Sequence, residues 1–440
     1  MTEQTEKKTR RQIDRQIIAL SVPAVIATIT TPLLGLMDTA FTGHMGGAVY
    51  LAAIALGGNV FNLLYWLFGF LRMGTSGFTA QAYGAGDSHG TATALMRGLT
   101  VAVMLGAVIV ILQRPIIGLF GMVMDPEADA WSEALTYLHI LAWGAPAVLA
   151  TTVMTGWLIG MNNTRAAMWM SIAIDVVNLA VSAGLVLGMH MKVEGVAIGT
   201  LSAQWAGVII GAVMIARYKL SLRIGIGELF EKRAMKRYFS VNGDIFLRTL
   251  CLIGVTLWFT RAGAEQGTVT LAANAMLMQL FILFSYFMDG VAYAAEAMAG
   301  KAAGAHDDRG LRDVIGGVMR LGSLLALIFA VLYFTAGEWI LELLSDDTGV
   351  TDAARDYLPW AVAVPIVSFG AFIWDGICVG TTMTRRMLLS MAVATLVYFI
   401  IYFTAVPCLG NHGLWLAFTA YLASRSAVMA AAEKLHRVRT

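Results

Sequence analysis

The sequence predicts an all-α membrane protein in which twelve transmembrane helices form two pseudo-symmetric six-helix lobes. Three observations support this fold class. The chain has 440 residues, of which 58% are hydrophobic and only 13% are charged, whereas soluble domains carry about 25% charged residues. About twelve apolar segments approach the length that a membrane-spanning helix needs. In addition, the two halves of the chain resemble each other at one constant spacing.

The apolar segments follow one another along the whole chain. Their centres lie near residues 30, 60, 101, 143, 175, 204, 250, 281, 324, 367, 396 and 421. Several segments contain proline, for example Pro23, Pro146 and Pro365. Spanning helices tolerate proline because neighbouring helices and side chains satisfy the freed backbone groups. We therefore expect one spanning helix per segment.

An internal repeat divides the chain. The stretch LAAIALGGNVFNLLYWLFGF begins at Leu51, and LAANAMLMQLFILFSYFMDG begins at Leu271, 220 residues later. The same spacing pairs GWLIGMNNTR, which begins at Gly156, with GICVGTTMTR, which begins at Gly376. Each half contains an even number of helices, so both halves are expected to insert with the same orientation. Parallel repeats of this kind are typical of transporters with a site between the lobes.

The predicted domain organisation follows from this repeat and from the basic residues. We expect a cytoplasmic N-terminal tail over 1–16, a first lobe of six helices over 17–216, a cytoplasmic linker over 217–238, a second lobe of six helices over 239–433 and a cytoplasmic tail over 434–440. Lys and Arg concentrate in the tails and the linker. Because basic residues favour the cytoplasmic side, both termini are predicted to be cytoplasmic.

The sequence contains no HExxH and no Walker A loop, which argues against metalloprotease and nucleotide-driven chemistry. Its three cysteines lie far apart in apolar segments, an arrangement that fits neither a disulfide framework nor a zinc site. We expect no catalytic residue, no cofactor and no nucleic-acid partner, and any active transport must draw on an ion gradient.

Carboxylates inside the apolar segments of the first half are the candidate site. Asp38 lies in the first-helix stretch TTPLLGLMDTAFTGHMGG, with no basic residue near it in the sequence. Asp175, Asn178 and Ser182 share one face of the fifth helix, and Thr200 follows in the sixth. A charge inside a membrane segment costs roughly 2.5–3.5 kcal/mol on insertion scales, and such groups face the bundle interior and mark ion paths. These residues are predicted to bind a cation or a proton.

The second half carries four candidate cavity acids of its own, Asp244, Asp289, Glu296 and Asp375. Arg248 lies four residues after Asp244, within reach of a helical ion pair. Asp289 and Glu296 are seven residues apart and therefore share a helix face. Each acid could instead pair with a neighbour and hold helices together.

Several stretches resemble the multidrug and toxic compound extrusion (MATE) family, in its bacterial DinF-like branch. They are PLLGLMDTAFTGHMG, FLRMGTSGFTAQAYGAGD, GMHMKVEGVAIGT and LGNHGLWLAF. The resemblance extends from about residue 12 to residue 435. It implies a twelve-helix antiporter, expected as a monomer in a bacterial inner membrane. Such antiporters export organic, often cationic or amphipathic compounds in exchange for H⁺ or Na⁺.

The resemblance also implies roles for single residues. Asp38 matches the family's first-helix cation-binding aspartate, and Pro23 matches the proline at which that helix bends when the aspartate is protonated. Asn178 and Thr200 match the polar residues of the same site, so a Na⁺ ion would use Asp38, Asn178 and Thr200. Ser182 stands where the family commonly has a second aspartate. With one carboxylate fewer, H⁺ coupling is favoured over Na⁺ coupling, and Asp175 is the expected substitute.

Three alternatives to an exporter stay open from the sequence. A flippase for a lipid-linked precursor shares the two-lobe plan but needs a basic cavity, for which Arg72 and Arg248 are the intramembrane candidates. A non-transporting receptor or scaffold has no need for a repeat with several buried carboxylates. A membrane-embedded enzyme lacks a recognisable pair of nucleophile and base.

Overall fold

The computed structural model describes residues 3–43, 48–124, 127–220 and 224–439. Within these ranges, side chains are described for 10–30, 49–122, 124, 127–220 and 224–433. The described chain is helical and contains no strand. This confirms the all-α prediction.

Helices fill both halves of the chain. The first half contains α1 (Glu3–Gly43), α2 (Ala48–Leu67), α3 (Phe70–Gly84), α4 (Ser88–Ile111), α5 (Gln113–Met124), α6 (Ala128–Ala142), α7 (Ala145–Gly160), α8 (Thr164–Ala183), a π-helical turn (Gly184–Gly188) and α9 (Val193–Ala216). The second half contains α10 (Ile226–Leu229), α11 (Lys232–Glu265), α12 (Thr268–Gly304), α13 (Asp308–Leu344), α14 (Thr348–Gly380), α15 (Thr384–Leu409) and α16 (Asn411–Arg439).

Eleven helical stretches of the described residues are long and apolar enough to span a membrane, and up to twelve if the bent pair α6 and α7 forms one span. That pair is bent by 54°. Pro146 is the second residue of α7, and it cannot donate a backbone hydrogen bond into the preceding turn. The break therefore has a local cause, and the span count agrees with the predicted twelve.

The chain divides into two compact units. The N unit comprises Ile26–Asn242, and the C unit comprises Met1–Val25 together with Gly243–Thr440. The predicted lobes begin at residues 17 and 239, which lie inside α1 and α11. The two units also divide the chain inside these helices, after Val25 and after Asn242. The beginning of α1 packs on helices of the second half, and the beginning of α11 packs on helices of the first.

Contacts inside each unit explain this division. In the C unit, a Cβ on Gly290 of α12 would lie 2.3 Å from the Val25 side chain of α1. In the N unit, Phe78 of α3 stacks on Tyr238 of α11, with ring centroids 5.8 Å apart. A Cβ on Gly74 of α3 would collide with Asn242 of α11. The N-terminal part of α1 therefore packs in the C unit, and the N-terminal part of α11 packs in the N unit.

The sequence repeat corresponds to repeated helix contacts. A Cβ on Gly156 of α7 would lie 2.3 Å from the backbone oxygen of Arg72 in α3. At the same spacing of 220 residues, a Cβ on Gly376 of α14 would lie 2.3 Å from the backbone oxygen of Ala292 in α12. Small residues at such positions let membrane helices approach closely. Both units are thus assembled around the same glycine contact.

Helix caps repeat in the same way. The Asp87 side chain accepts a hydrogen bond from the Gly90 amide at 2.8 Å and begins α4. The Asp307 side chain accepts one from the Gly310 amide at 2.8 Å and begins α13. Both satisfy an amide that a helix end leaves unpaired, so the two units start equivalent helices with equivalent caps.

Candidate functional site

A buried polar network joins α8 and α9 in the N unit. Asn178 Nδ2 donates to Thr200 Oγ1 at 3.1 Å, and Ser182 Oγ donates to Asn178 Oδ1 at 3.2 Å. Thr200 Oγ1 donates in turn to the Val196 carbonyl at 3.0 Å. Asn178 and Ser182 are 1% and 0% exposed. The structure therefore brings together three of the residues that the sequence singled out.

Close helix packing positions this network. A Cβ on Gly199 of α9 would lie 2.1 Å from Ser182 Oγ of α8. The glycine is required because the two helices approach each other directly at the serine. The same contact leaves little room beside Ser182 for a longer side chain. This gives a structural reason for a small residue at the position where the resemblance expects an aspartate.

Asp175 lies two turns earlier on α8 and faces α1 instead. Its carboxyl lies next to the Thr30 side chain, and Thr30 Oγ1 lies 3.5 Å from Ser171 Oγ. The second carboxyl oxygen, Oδ2, is buried and has no hydrogen-bond partner among the described residues. No hydrogen bond of the described side chains links Asp175 to the Asn178 network. The predicted polar face is therefore divided into two separate groups.

Of the two α1 residues that the sequence predicts for the site, the structure describes the side chain of Pro23 but not that of Asp38. Pro23 is buried, within a helix that runs without interruption from Glu3 to Gly43. Asp38 belongs to the same helix, but its side chain lies outside the described residues, so its role stays a prediction. The Na⁺ set of Asp38, Asn178 and Thr200 stays a prediction for the same reason. Among the described residues, no group of three or more His, Cys, Asp or Glu side chains is placed to hold a metal ion.

In the C unit, the buried acid of α14 is held by two arginines. Asp375 Oδ2 accepts hydrogen bonds from Arg248 Nη2 of α11 and, at 2.6 Å, from Arg425 Nη2 of α16. The expected ion pair between Asp244 and Arg248 is not the one that forms. Asp244 instead accepts a hydrogen bond from the Thr384 hydroxyl at 2.9 Å. Asp375 is thus the shared partner of two guanidinium groups and not an unpaired cavity acid.

The remaining two candidate acids lie on α12. Glu296 is 1% exposed, and Asp289 is close enough to Tyr286 to interact with it electrostatically. Both acids interact with other described residues. Their proposed contact with a transported compound stays a prediction.

Comparison with known proteins assigns the family. The MatE family model matches twice, over residues 23–183 and 245–404, which are the two halves of the repeat. DNA damage-inducible protein F of Escherichia coli is 38% identical, over 96% of this chain and 92% of that protein. The chain belongs to the MATE family. The resemblance noted from its motifs is thereby confirmed, including the DinF-like branch.

More distant MATE proteins agree with this assignment. Multidrug resistance protein MdtK of Edwardsiella ictaluri is 22% identical, over 94% of each chain. A crystal structure of a MATE protein in the bent conformation superposes with a TM-score of 0.86 at 19% identity, over 98% of this chain and 96% of that one. The fold is therefore that of a MATE transporter, and the protein is a multi-pass membrane protein.

Sequence reasoning missed three polar residues that the structure places in these groups. Thr30 and Ser171 contact each other, and Thr30 also contacts Asp175, but small hydroxyl side chains are common in apolar helices. Arg425 is the single charge in the stretch YLASRSAVMA of the last helix. A lone intramembrane charge was the signal that could have identified it.

Proposed function

We propose that this MATE protein is a proton-coupled antiporter that exports organic, often cationic or amphipathic compounds by alternating access. Family membership supports the proposal, as does similarity to a relative that is named a multidrug resistance protein. The protein would act as a monomer in a bacterial inner membrane, with both termini in the cytoplasm. It would catalyse no reaction and would use no cofactor besides the coupling ion.

The position of Thr30 next to Asp175 is the observation that supports the proton coupling. Thr30 Oγ1 donates its hydrogen to the Ala27 carbonyl at 2.9 Å. A hydroxyl has one hydrogen and can otherwise only accept. Protonated Asp175 can donate to Thr30, whereas ionised Asp175 has to compete with Ala27 for the hydroxyl hydrogen. The link between α8 and α1 therefore depends on whether Asp175 carries a proton.

The composition of the N unit favours H⁺ over Na⁺. Hard cations prefer several oxygen ligands, and carboxylates supply the negative charge. The Asn178, Ser182 and Thr200 side chains are neutral and already hydrogen-bonded to one another. A Na⁺ ion would have to share these oxygens with the existing hydrogen bonds and would gain no second carboxylate from Ser182. A proton needs only one carboxylate, which Asp38 or Asp175 supplies.

The proposed cycle uses α1 to connect these groups. Thr30 and Asp38 are eight residues apart in α1, which corresponds to ~12 Å along the helix. Proton uptake would neutralise Asp38 and Asp175, which would allow α1 to bend at Pro23 and release the exported compound. Proton loss to the cytoplasm would reset the helix. The coupling free energy is the difference in proton affinity between the two states.

Export from proteoliposomes with separate pH and Na⁺ gradients tests this proposal. The probe is the cationic ethyl ester of rhodamine B. We expect the pH gradient alone to drive export in the wild type, and Asp38→Asn to reduce the initial rate to the protein-free level. Asp346→Asn, which changes an exposed acid, should export at the wild-type rate. Export by the Asp38→Asn variant at the wild-type rate, or export driven only by Na⁺, would contradict the proposal.

Substitution of Thr30 tests the proton link itself. Thr30→Val keeps the shape of the side chain but can no longer accept a hydrogen bond from Asp175. We expect the rate driven by the pH gradient to fall about tenfold, since coupling free energies of 1–3 kcal/mol correspond to factors of 5–150. Thr30→Ser should restore most of the rate. Equal rates in the valine and serine variants would exclude Thr30 as the group that responds to Asp175.

The flippase alternative predicts a different substrate. Lipid-linked precursors carry phosphates, which need several unpaired basic side chains in the membrane. Arg248 and Arg425 share Asp375, so only one positive charge of this group is uncompensated. Failure of the dye assay together with translocation of a lipid phosphate in the same vesicles would favour the flippase.

A further inference from the structure

An open cavity of about 520 Å³ lies in the N unit, between the beginning of α8 and the end of α9. Arg165 is the second residue of α8, and Arg217 directly follows the last residue of α9. Both arginines line this space, which we name the α8–α9 cavity. Arg165 and Asn178 are 13 residues apart in α8, which corresponds to ~20 Å along the helix. The α8–α9 cavity is therefore separate from the candidate ion site.

The charge of the α8–α9 cavity is positive. Arg165 and Arg217 are both exposed, and guanidinium groups stay protonated in proteins. The described residues that line the cavity include no acid. Two cationic side chains at one opening raise the local concentration of anions. The cavity therefore favours an anionic ligand.

A hydroxyl donor is held at the same opening. Asn163 Oδ1 accepts a hydrogen bond from the Ala166 amide at 3.0 Å and begins α8. Asn163 Nδ2 then donates to the Tyr218 hydroxyl at 2.7 Å. Because this hydroxyl accepts from the asparagine, its own hydrogen is left for another acceptor. The Tyr218 ring also packs edge-on against the buried Trp157 ring, with centroids 5.1 Å apart, so the donor has a fixed position.

The cavity changes from charged to apolar along its two helices. Trp169 and Met214 also line it. Trp169 lies four residues after Arg165, and Met214 lies three residues before Arg217, so they lie ~6 Å and ~4.5 Å farther along the helices from these charges. Trp169 is 58% exposed, and tryptophan is enriched where a spanning helix meets the membrane–water interface. This order of groups matches a lipid, whose charged headgroup lies above apolar chains.

We propose that the α8–α9 cavity binds the phosphate of an anionic phospholipid. Arg165 and Arg217 donate to the phosphate oxygens, and the Tyr218 hydroxyl donates a further hydrogen bond. The acyl chains lie along the apolar part of the cavity, which favours a lipid over free phosphate. Basic pockets between spanning helices on the cytoplasmic side suit such headgroups, and α9 leads into the linker that is predicted to be cytoplasmic. The inference goes beyond the proposed export function and does not depend on it.

Native mass spectrometry of the purified, full-length protein tests the proposal. Dioleoylphosphatidylglycerol and dioleoylphosphatidylethanolamine are titrated in detergent, and the bound fraction gives an apparent dissociation constant for each lipid. We expect the wild type to bind phosphatidylglycerol more tightly, because the ethanolamine group adds a cation next to two arginines. Inorganic phosphate at the same concentration should not displace the lipid. Equal affinities for the two lipids, or displacement by inorganic phosphate, would overturn the proposal without any variant.

Substitution of the two arginines locates the bound lipid. Arg165→Gln and Arg217→Gln each remove one charge from an exposed side chain. Each should weaken phosphatidylglycerol binding about fivefold, the factor that corresponds to ~1 kcal/mol for one basic residue at a membrane surface. The double variant should weaken it about 25-fold if the two contributions add. Wild-type affinity in the double variant would overturn the proposal.

Arg385→Gln is the matched control. Arg385 is exposed and lies 220 residues after Arg165, at the corresponding position of the C unit. At the same spacing Val438 stands in place of Tyr218, so the hydroxyl donor is missing there. We therefore expect Arg385→Gln to keep the wild-type affinity for phosphatidylglycerol. A loss equal to that of Arg165→Gln would mean that binding follows net charge alone, and it would overturn the proposal.

Discussion

The N unit and the C unit share their helix contacts but differ in the chemistry that these contacts surround. Gly156 and Gly376 make the same backbone approach at a spacing of 220 residues. At that spacing, however, the buried amide of Asn178 corresponds to the aromatic ring of Tyr398. The glycine contacts between helices therefore repeat, whereas the buried polar side chains do not. The two units can thus share one helix arrangement and differ in their chemistry.

The buried charged residues also differ between the two units. At the spacing of the repeat, Arg248 corresponds to Thr28, and Asp375 corresponds to Thr155. Asp175 of the N unit lies next to the Thr30 hydroxyl, whereas Asp375 of the C unit is paired with two guanidinium groups.

The largest effect is expected at Asp375. Asp375→Ala leaves two buried guanidinium groups without their shared partner, so the free energy of unfolding should fall by about 3–5 kcal/mol. At the corresponding position of the N unit, Thr155 donates only to the Thr151 carbonyl of its own helix. Thr155→Val should cost about 1 kcal/mol or less. Chemical unfolding in detergent, followed by tryptophan fluorescence, measures both. Similar losses would show that the ion pairs of Asp375 with Arg248 and Arg425 contribute no more stability than the Thr155 hydrogen bond.

The shared frame is tested by its two glycines. A Cβ on Gly156 or on Gly376 would lie 2.3 Å from a backbone oxygen, and overpacking of this kind costs about 1–3 kcal/mol. Gly156→Ala and Gly376→Ala should therefore lose comparable stability in the same unfolding experiment. Gly254→Ala, where a Cβ would meet nothing within 4 Å, should lose none. A large difference between the stability losses of Gly156→Ala and Gly376→Ala would mean that the two helix contacts are not equivalent.

Much of the fold could be predicted because its causes are local in sequence or repeat along it. Apolar length predicts the spanning helices, and the constant spacing predicts the glycine contacts of Gly156 and Gly376. Along one helix, the sequence offers Arg248 a partner only at Asp244. The structure pairs Arg248 with Asp375, 127 residues away, because three helices converge there. Helical periodicity describes single helices and contains no information on which helices meet.

The candidate site shows the same limit. The face of α8 that carries Asp175, Asn178 and Ser182 could be predicted from helical spacing. Its division into two groups could not, because Thr30 reaches Asp175 from α1 and Thr200 reaches Asn178 from α9. The substitution of Ser182 for an acid was visible in the sequence. Its reason, the approach of Gly199, depends on the distance between two helices.

The smallest effects are expected at Asn178 and Tyr398, which correspond at the spacing of the repeat. Asn178→Ala removes both the acceptor of the Ser182 hydroxyl and the donor to Thr200, and a buried polar group that loses its partner costs about 1–3 kcal/mol. The Tyr398 hydroxyl is buried and has no hydrogen-bond partner among the described residues. Tyr398→Phe should therefore be neutral or slightly stabilising, within about 0.5 kcal/mol. Unfolding in detergent distinguishes these results. If Tyr398→Phe lost as much stability as Asn178→Ala, the Tyr398 hydroxyl would have to make a stabilising hydrogen bond. The two units would then both depend on a buried polar side chain at this position of the repeat.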